Sequence, residues 1–114
     1  MHYYDADGNL VLNSPVSTGA TIGNKTKQGD NKTPEGNFWI SHSTDKADKK
    51  KFGDTLFYGL SYGRGIGIHG DAGNPNALGR RASHGCIRMP NGELRKLQGF
   101  IGKGIKVPVI IGKD

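Results

Sequence analysis

Ser83-His84-Gly85-Cys86-Ile87-Arg88 holds the sole cysteine of a 114-residue chain, with a glycine directly before it and a histidine before that. Sulfur is a nucleophile as thiolate, and a nearby cationic imidazole or donors aimed at the sulfur favour that form. A second glycine-bordered histidine stands upstream, in Gly67-Ile68-His69-Gly70. One cysteine and two histidines are the components of a Cys-His acyl-transfer site.

The composition around this stretch points to strands and turns. Nineteen glycines exceed the average share of about 7% by a wide margin. They lie between alternating apolar segments and follow no collagen period, which predicts a β-rich fold with many tight turns. The length predicts one domain, residues 1–114, and the 33% hydrophobic content an economical core. Met1-His2-Tyr3-Tyr4 enters a strand pattern at once, so the N-terminal strand is expected to be cut short. No signal peptide and no long apolar run is present, so neither targeting nor a membrane span is expected of these residues.

A lone cysteine makes no internal disulfide. The formal charge of +6 favours an anionic partner: nucleic acid, acidic lipid or an acidic wall polymer. Much of it sits in Lys46, Lys49, Lys50 and Lys51. Aromatics do not interleave there as a single-strand nucleic-acid platform requires, so no nucleic-acid partner is expected.

Along the chain, His2-Tyr3-Tyr4 and Leu10-Val11-Leu12 flank Asp5 to Asn9, and Asp7-Gly8 predicts a hairpin turn. Pro15 to Gly19 reads as a short strand, and Thr21 to Pro34 as a polar surface loop. Strands are predicted at Phe38–Ser43, Leu56–Tyr62 and Gly65–His69, with Phe38 and Ile40 on one face and Trp39 on the other. Thr44–Asp54 and the segment between His69 and Ser83 read as loops. Asn91 is the expected cap of a short helix whose Leu94, Leu97, Phe100 and Ile101 share a face. Pro108 predicts an edge position or a bulge for the final strand, Ile105–Ile111.

A nucleophilic thiol needs a base, an orienter for that base, and oxyanion donors. His69, at a strand end, is the expected base, with a backbone carbonyl as orienter. The amides of Gly85 and Cys86 are the expected oxyanion donors, and His84 is a donor or substrate contact. Arg88 lies two residues beyond Cys86 and so on its side of an extended segment, where a guanidinium suits a substrate carboxylate. Zinc ligation by His69, His84 and Cys86 is a weaker alternative, because the His-x-Cys spacing matches no common ligand pairing. Cofactor and metal are expected to be absent.

At these residues the chain resembles the YkuD-type L,D-transpeptidase catalytic domains. Their hallmark is a histidine, a loop, then Ser/Thr-His-Gly-Cys; here it is His69, thirteen intervening residues, and Ser83-His84-Gly85-Cys86. Val16-Ser17-Thr18-Gly19, Thr33-Pro34-Glu35-Gly36-Asn37-Phe38 and Cys86-Ile87-Arg88-Met89 match as well. The His-to-Ser gap is one residue shorter than in many members, and Arg88 stands where a large branch has Asn. The resemblance implies a mainly β fold, a sandwich of mixed sheets with one short helix after the cysteine. It implies a peptidoglycan acyltransferase of the cell envelope (periplasm or wall). Cys86 would take the acyl group of a tetrapeptide stem, releasing D-Ala, and pass it to a second stem as a 3→3 cross-link or to a wall-attached protein.

It further implies His69 as base, the Gly70 carbonyl as the third catalytic member, and Ser83, His84 and Gly85 as pocket residues. Carbapenem acylation of Cys86 is expected on the same ground. The alternatives are a hydrolase on the same scaffold (an L,D-carboxypeptidase or amidase) and a non-catalytic wall-binding module.

Overall fold

The computed structural model describes residues 1–19, 24–27, 29, 30, 32–63, 65–71, 81–83 and 85–112, the side chains of 81–83 excepted. Strands dominate. Hairpin β1 (His2–Tyr4) and β2 (Leu10–Asn13) forms one two-stranded sheet. Its turn closes where Gly8 reaches φ 82° and the Asp5 carboxylate accepts the amides of Asp7 and Asn9. Gly8 alone of the Asp-Gly pair has positive φ.

The central sheet takes five strands in the order β8-β6-β5-β4-β9: β4 (Gly36–Thr44), β5 (Phe57–Leu60), β6 (Gly67–His69), β8 (Ile87–Arg88) and β9 (Pro108–Ile111). Every pairing in it is antiparallel except β6 with β8. Pro108 enters at the sheet edge, where its missing N–H costs no ladder bond. The third sheet pairs β3 (Thr18–Gly19) with β7 (Arg81–Ser83) in parallel, so the segment read as loop up to Ser83 ends in a strand. The mainly β fold of mixed sheets with a short helix after Cys86 is the expected one.

Two helices differ from expectation in detail. Four residues of the charged 44–54 segment form α1 (Lys49–Phe52), capped by the Asp48 carboxylate at the Lys50 amide and ended by Gly53 at φ 75°. Helix α2 (Asn91–Ile101) packs Leu94 and Leu97 into the core. Pro90, not Asn91, is its N-cap, and Phe100 is half-exposed against Tyr3 of the hairpin. The Asn91 side chain is employed elsewhere: its amide donates to Gly53 O at 2.7 Å and its oxygen accepts the Asp71 amide at 3.1 Å.

One core unites Leu12, Ile40, Leu56, Tyr58, Leu60, Ile66, Ile68, Ile87, Met89 and the helix leucines. Alternation along the strands turns Ile68 and Ile87 into it and sends Gly67, His69 and Arg88 to the opposite face. Arg95 of α2 ties the α1 segment down, bonding the Asp54 carboxylate at 2.6 Å and that of Asp45 at 2.9 Å. These bonds hold the Asp45 carboxyl down at about 2 and that of Asp54 below the ordinary carboxylate value.

Two glycines on the outer face separate cost from tolerance. A Cβ at Gly67 would meet the Phe57 ring and the Tyr58 carbonyl, a backbone atom that cannot swing away. A Cβ at Gly59 would meet only the exposed His42 ring. We expect Gly67→Ala to destabilise by about 1–3 kcal/mol and Gly59→Ala by clearly less, measured by urea unfolding. Equal losses would contradict this account.

Candidate functional site

The parallel register of β6 and β8 assembles the site. Ile68 pairs with Ile87 and His69 with Arg88, which places Cys86, one residue before β8, beside Gly67. Paired residues share a face, so Arg88 and His69 project to the same side. Cys86 stands one residue before Ile87, with its thiol hydrogen-bonded at Gly65 and Gly67 of the neighbouring segment.

His69 is buried, and two aromatic rings and two carbonyls hold its ring. Phe57 stacks on it with centroids 6.0 Å apart and planes 12° off, and Phe52 meets it edge-on at 5.3 Å. Its Nδ1 lies 2.7 Å from Gly70 O and 2.9 Å from Phe52 O. Two acceptors at one nitrogen put the proton there, which leaves Nε2 as the basic nitrogen of the neutral ring. The Asn91 side chain fixes both carbonyl-bearing segments, bonding at Gly53 beside Phe52 and at Asp71 beside Gly70. Gly70 accepts no larger residue, since a Cβ there would collide with the Asn91 amide oxygen.

The Cys86 thiol donates to Gly65 O at 3.2 Å. Burial pushes the thiol above its ordinary value, while the Gly67 amide and the charges of Arg88, Lys25 and Lys51 pull back. Burial likewise pulls His69 below its ordinary value, against the two carbonyls that raise it, and the Arg88 charge adds to the lowering. In both groups burial is the largest cause of the shift, and it disfavours the charged form. Desolvation of both partners thus acts against the thiolate–imidazolium form that the sequence suggests, while the charges of Arg88, Lys25 and Lys51 favour the thiolate.

Gly85 adopts φ 128°, where a side chain is strained, and a Cβ there would sit 2.9 Å from both Ile66 Cδ1 and Lys32 O. Arg88 is half-buried, and among the described residues no carboxylate lies within ion-pair distance of it. Ser83 is placed only by its backbone, paired with Gly19, and His84 lies outside the described residues.

Three contributors escaped sequence reasoning. Thr33, in the Thr-Pro-x-Gly stretch, donates to Gly85 O and accepts the Gly19 amide, each at 2.8 Å. Lys25 is buried in an ion pair with Asp30 at 2.9 Å, inside a segment whose polarity read as surface loop. Asn91 signalled a helix cap, and nothing local marks its two distant partners.

With this geometry in hand, comparison with known proteins is informative. The model of a family described as YkuD, L,D-transpeptidase catalytic domain, matches residues 1–111. The chain is 29% identical over 110 residues to a putative L,D-transpeptidase YkuD of Bacillus licheniformis, covering 96% of this chain and 58% of that protein. It is 27% identical over 127 residues to a probable L,D-transpeptidase ErfK/SrfK of Salmonella typhimurium, covering 96% and 40%. The chain thus spans about half the length of these curated relatives. Among solved structures it resembles the helical cell shape determining protein Pgp2 of Campylobacter jejuni. The TM-score is 0.72 at 27% identity, over 95% of this chain and 42% of that one.

The raised thiol has a measurable consequence. We expect Cys86 alkylation by iodoacetamide to accelerate with pH through and above the ordinary thiol range of about 8.5. A plateau reached already near pH ~6–7 would mean a preformed thiolate–imidazolium pair and would contradict the assignment. We further expect Asn91→Ala to destabilise by about 1–3 kcal/mol by unpairing Gly53 O and the Asp71 amide.

Proposed function

The chain belongs to the L,D-transpeptidase catalytic domain family, and from that membership we propose that residues 1–114 act as one cysteine-dependent catalytic domain on peptidoglycan stem peptides. The observation that carries the reading is the double carbonyl grip on His69 Nδ1, which leaves Nε2 as the basic nitrogen, on a strand paired with the one that directly follows Cys86. Gly70 supplies one of those carbonyls and so serves as the third catalytic element.

In the proposed reaction His69 Nε2 takes the thiol proton as the sulfur attacks the carbonyl of the stem's L,D amide bond. The carbonyl electron pair moves onto oxygen, where the Gly85 and Cys86 amides receive it. Collapse breaks the carbon–nitrogen bond, His69 returns the proton to the departing nitrogen, and D-Ala leaves. The thioester on Cys86 then meets an amine of a second stem, which loses its proton to His69 as the new amide forms and the thiol is restored. Splitting one amide exchange into two acyl transfers lowers each barrier. Arg88 is suited to a carboxylate of the donor stem, being cationic, half-buried and beside Cys86. Ser83 and His84 complete the pocket in this proposal. The net charge of +6 suits an anionic wall polymer, and the site of action is the cell envelope.

Incubation with tetrapeptide stems, read by mass spectrometry, tests the proposal. We expect free D-Ala and cross-linked dimer, both lost in Cys86→Ala, and a fall of about 10²–10⁴ in rate for His69→Ala. Free tripeptide without dimer would replace transfer by hydrolysis, the carboxypeptidase reading. Wall-related activity unchanged in Cys86→Ala would replace catalysis by a wall-binding module.

A further inference from the structure

We infer that Thr33 is a positioning residue for the peptide unit joining Gly85 to Cys86, fixing the direction in which the Cys86 N–H meets a developing oxyanion. The inference rests on the acyl-transfer reading of Cys86. Thr33 is buried, and its hydroxyl is engaged in both senses: it accepts the Gly19 amide and donates to Gly85 O. A hydroxyl is among the few side-chain groups able to do both at one atom. The described peptide bonds are all trans, so the Gly85 carbonyl and the Cys86 N–H point in opposite directions across one plane. Anchoring the oxygen toward Thr33 therefore fixes the N–H away from it. A carbonyl that accepts a hydrogen bond also makes its own amide N–H a better donor, by about 10–30% per bond in such chains.

Gly85 cannot orient this unit itself. It has no side chain to pack, and its φ of 128° is one that side chains resist. The anchor must come from outside, and the Thr33 segment is built to supply it. Lys25 and Asp30 form a nearly unexposed ion pair behind the turn, and Asp30 also accepts the amides of Thr26, Lys27 and Lys32. Burial opposes charge on Asp30, and the Lys25 ammonium with those amides overcomes it, holding the carboxyl well below the ordinary range. Lys32 O in turn closes over Gly85. Thr33 thus projects from a braced segment.

Two reactions of the same sulfur separate orientation of the oxyanion donor from general damage. With p-nitrophenyl acetate the thiol proton passes to His69, the sulfur–carbon bond forms and the carbonyl electron pair moves to oxygen. Collapse then expels p-nitrophenolate as the carbon–oxygen bond breaks, leaving an acetyl thioester on Cys86. Iodoacetamide instead loses iodide from a saturated carbon, and no oxyanion arises. We expect Thr33→Val to slow acetylation of Cys86 by about tenfold or more, a partial version of losing an oxyanion donor. Its iodoacetamide rate and pH profile should stay within about twofold of the parent's, since they depend on the thiol alone. Thr33→Ser, which keeps the hydroxyl, should restore acetylation.

Parallel loss in both reactions, or loss in neither, would overturn the inference. If Thr33→Val fails to melt cooperatively, Thr33→Ala is read by the same pair of rates. Acetylation of the parent protein needs no stem peptide, so failure of the peptidoglycan reading would show as an acetylated enzyme inert toward stems.

Discussion

The parallel pairing of β6 with β8 is the constraint on which the site depends. Its register is set from the core side, where Ile68 and Ile87 are both buried and paired. A slip of one residue would turn each strand's buried isoleucine outward, so burial of these two side chains fixes what stands opposite them. On the other face the same register sets Cys86 beside Gly67 and Arg88 beside His69. Parallel neighbours cannot be joined by a tight turn; they need a crossover of a dozen or more residues. The long gap between His69 and Ser83 is therefore a topological requirement of bringing the two segments side by side. At the end of this connection β7 pairs with β3, and beyond β8 the Met89 amide donates to His69 O at 2.9 Å, continuing the parallel pairing.

Local chemistry was legible in the sequence and distant pairing was not. The hairpin around Asp5 to Asn9 and the edge position of Pro108 follow from backbone rules that act over a few residues. The Cys86 segment and His69 stood out because their glycines and residue types are unusual in combination. The 24–33 segment misled for a physical reason. Its Lys and Asp look solvated in composition, but Lys25 is buried in its pair with Asp30 and lies near Gly85, a residue distant in sequence. Asn91 shows the same limit: a residue at a helix start reads as a cap, whereas here its amide spans two loops from 53 and 71. Helix α1 escaped because four residues are too few for a periodic pattern, although Asp48 and Gly53 mark both its ends.

Burial acts on both members of the candidate pair, raising the Cys86 thiol and lowering the His69 imidazole. Arg88 acts unevenly here, since its charge favours thiolate at Cys86 and disfavours imidazolium at His69. Lys25 and Lys51 add to the first effect. The aromatic enclosure by Phe52 and Phe57 thus shapes the chemistry as much as it holds the ring.

That enclosure explains part of the glycine content. Phe57 pairs with His69 across β5 and β6, and its ring reaches over Gly67. One strand further, Gly59 lies beneath His42, whose ring centroid is 6.3 Å from that of Phe57. The Phe57 and His42 rings thus lie over residues that have no side chains. Glycine in a strand costs roughly 0.5–1 kcal/mol relative to alanine, and the turns of this fold give no reason to accept that cost at 59 and 67. The reason is in the site: with a methyl group at 67, the Phe57 ring would have to rise, and the stacked position of His69 would move with it.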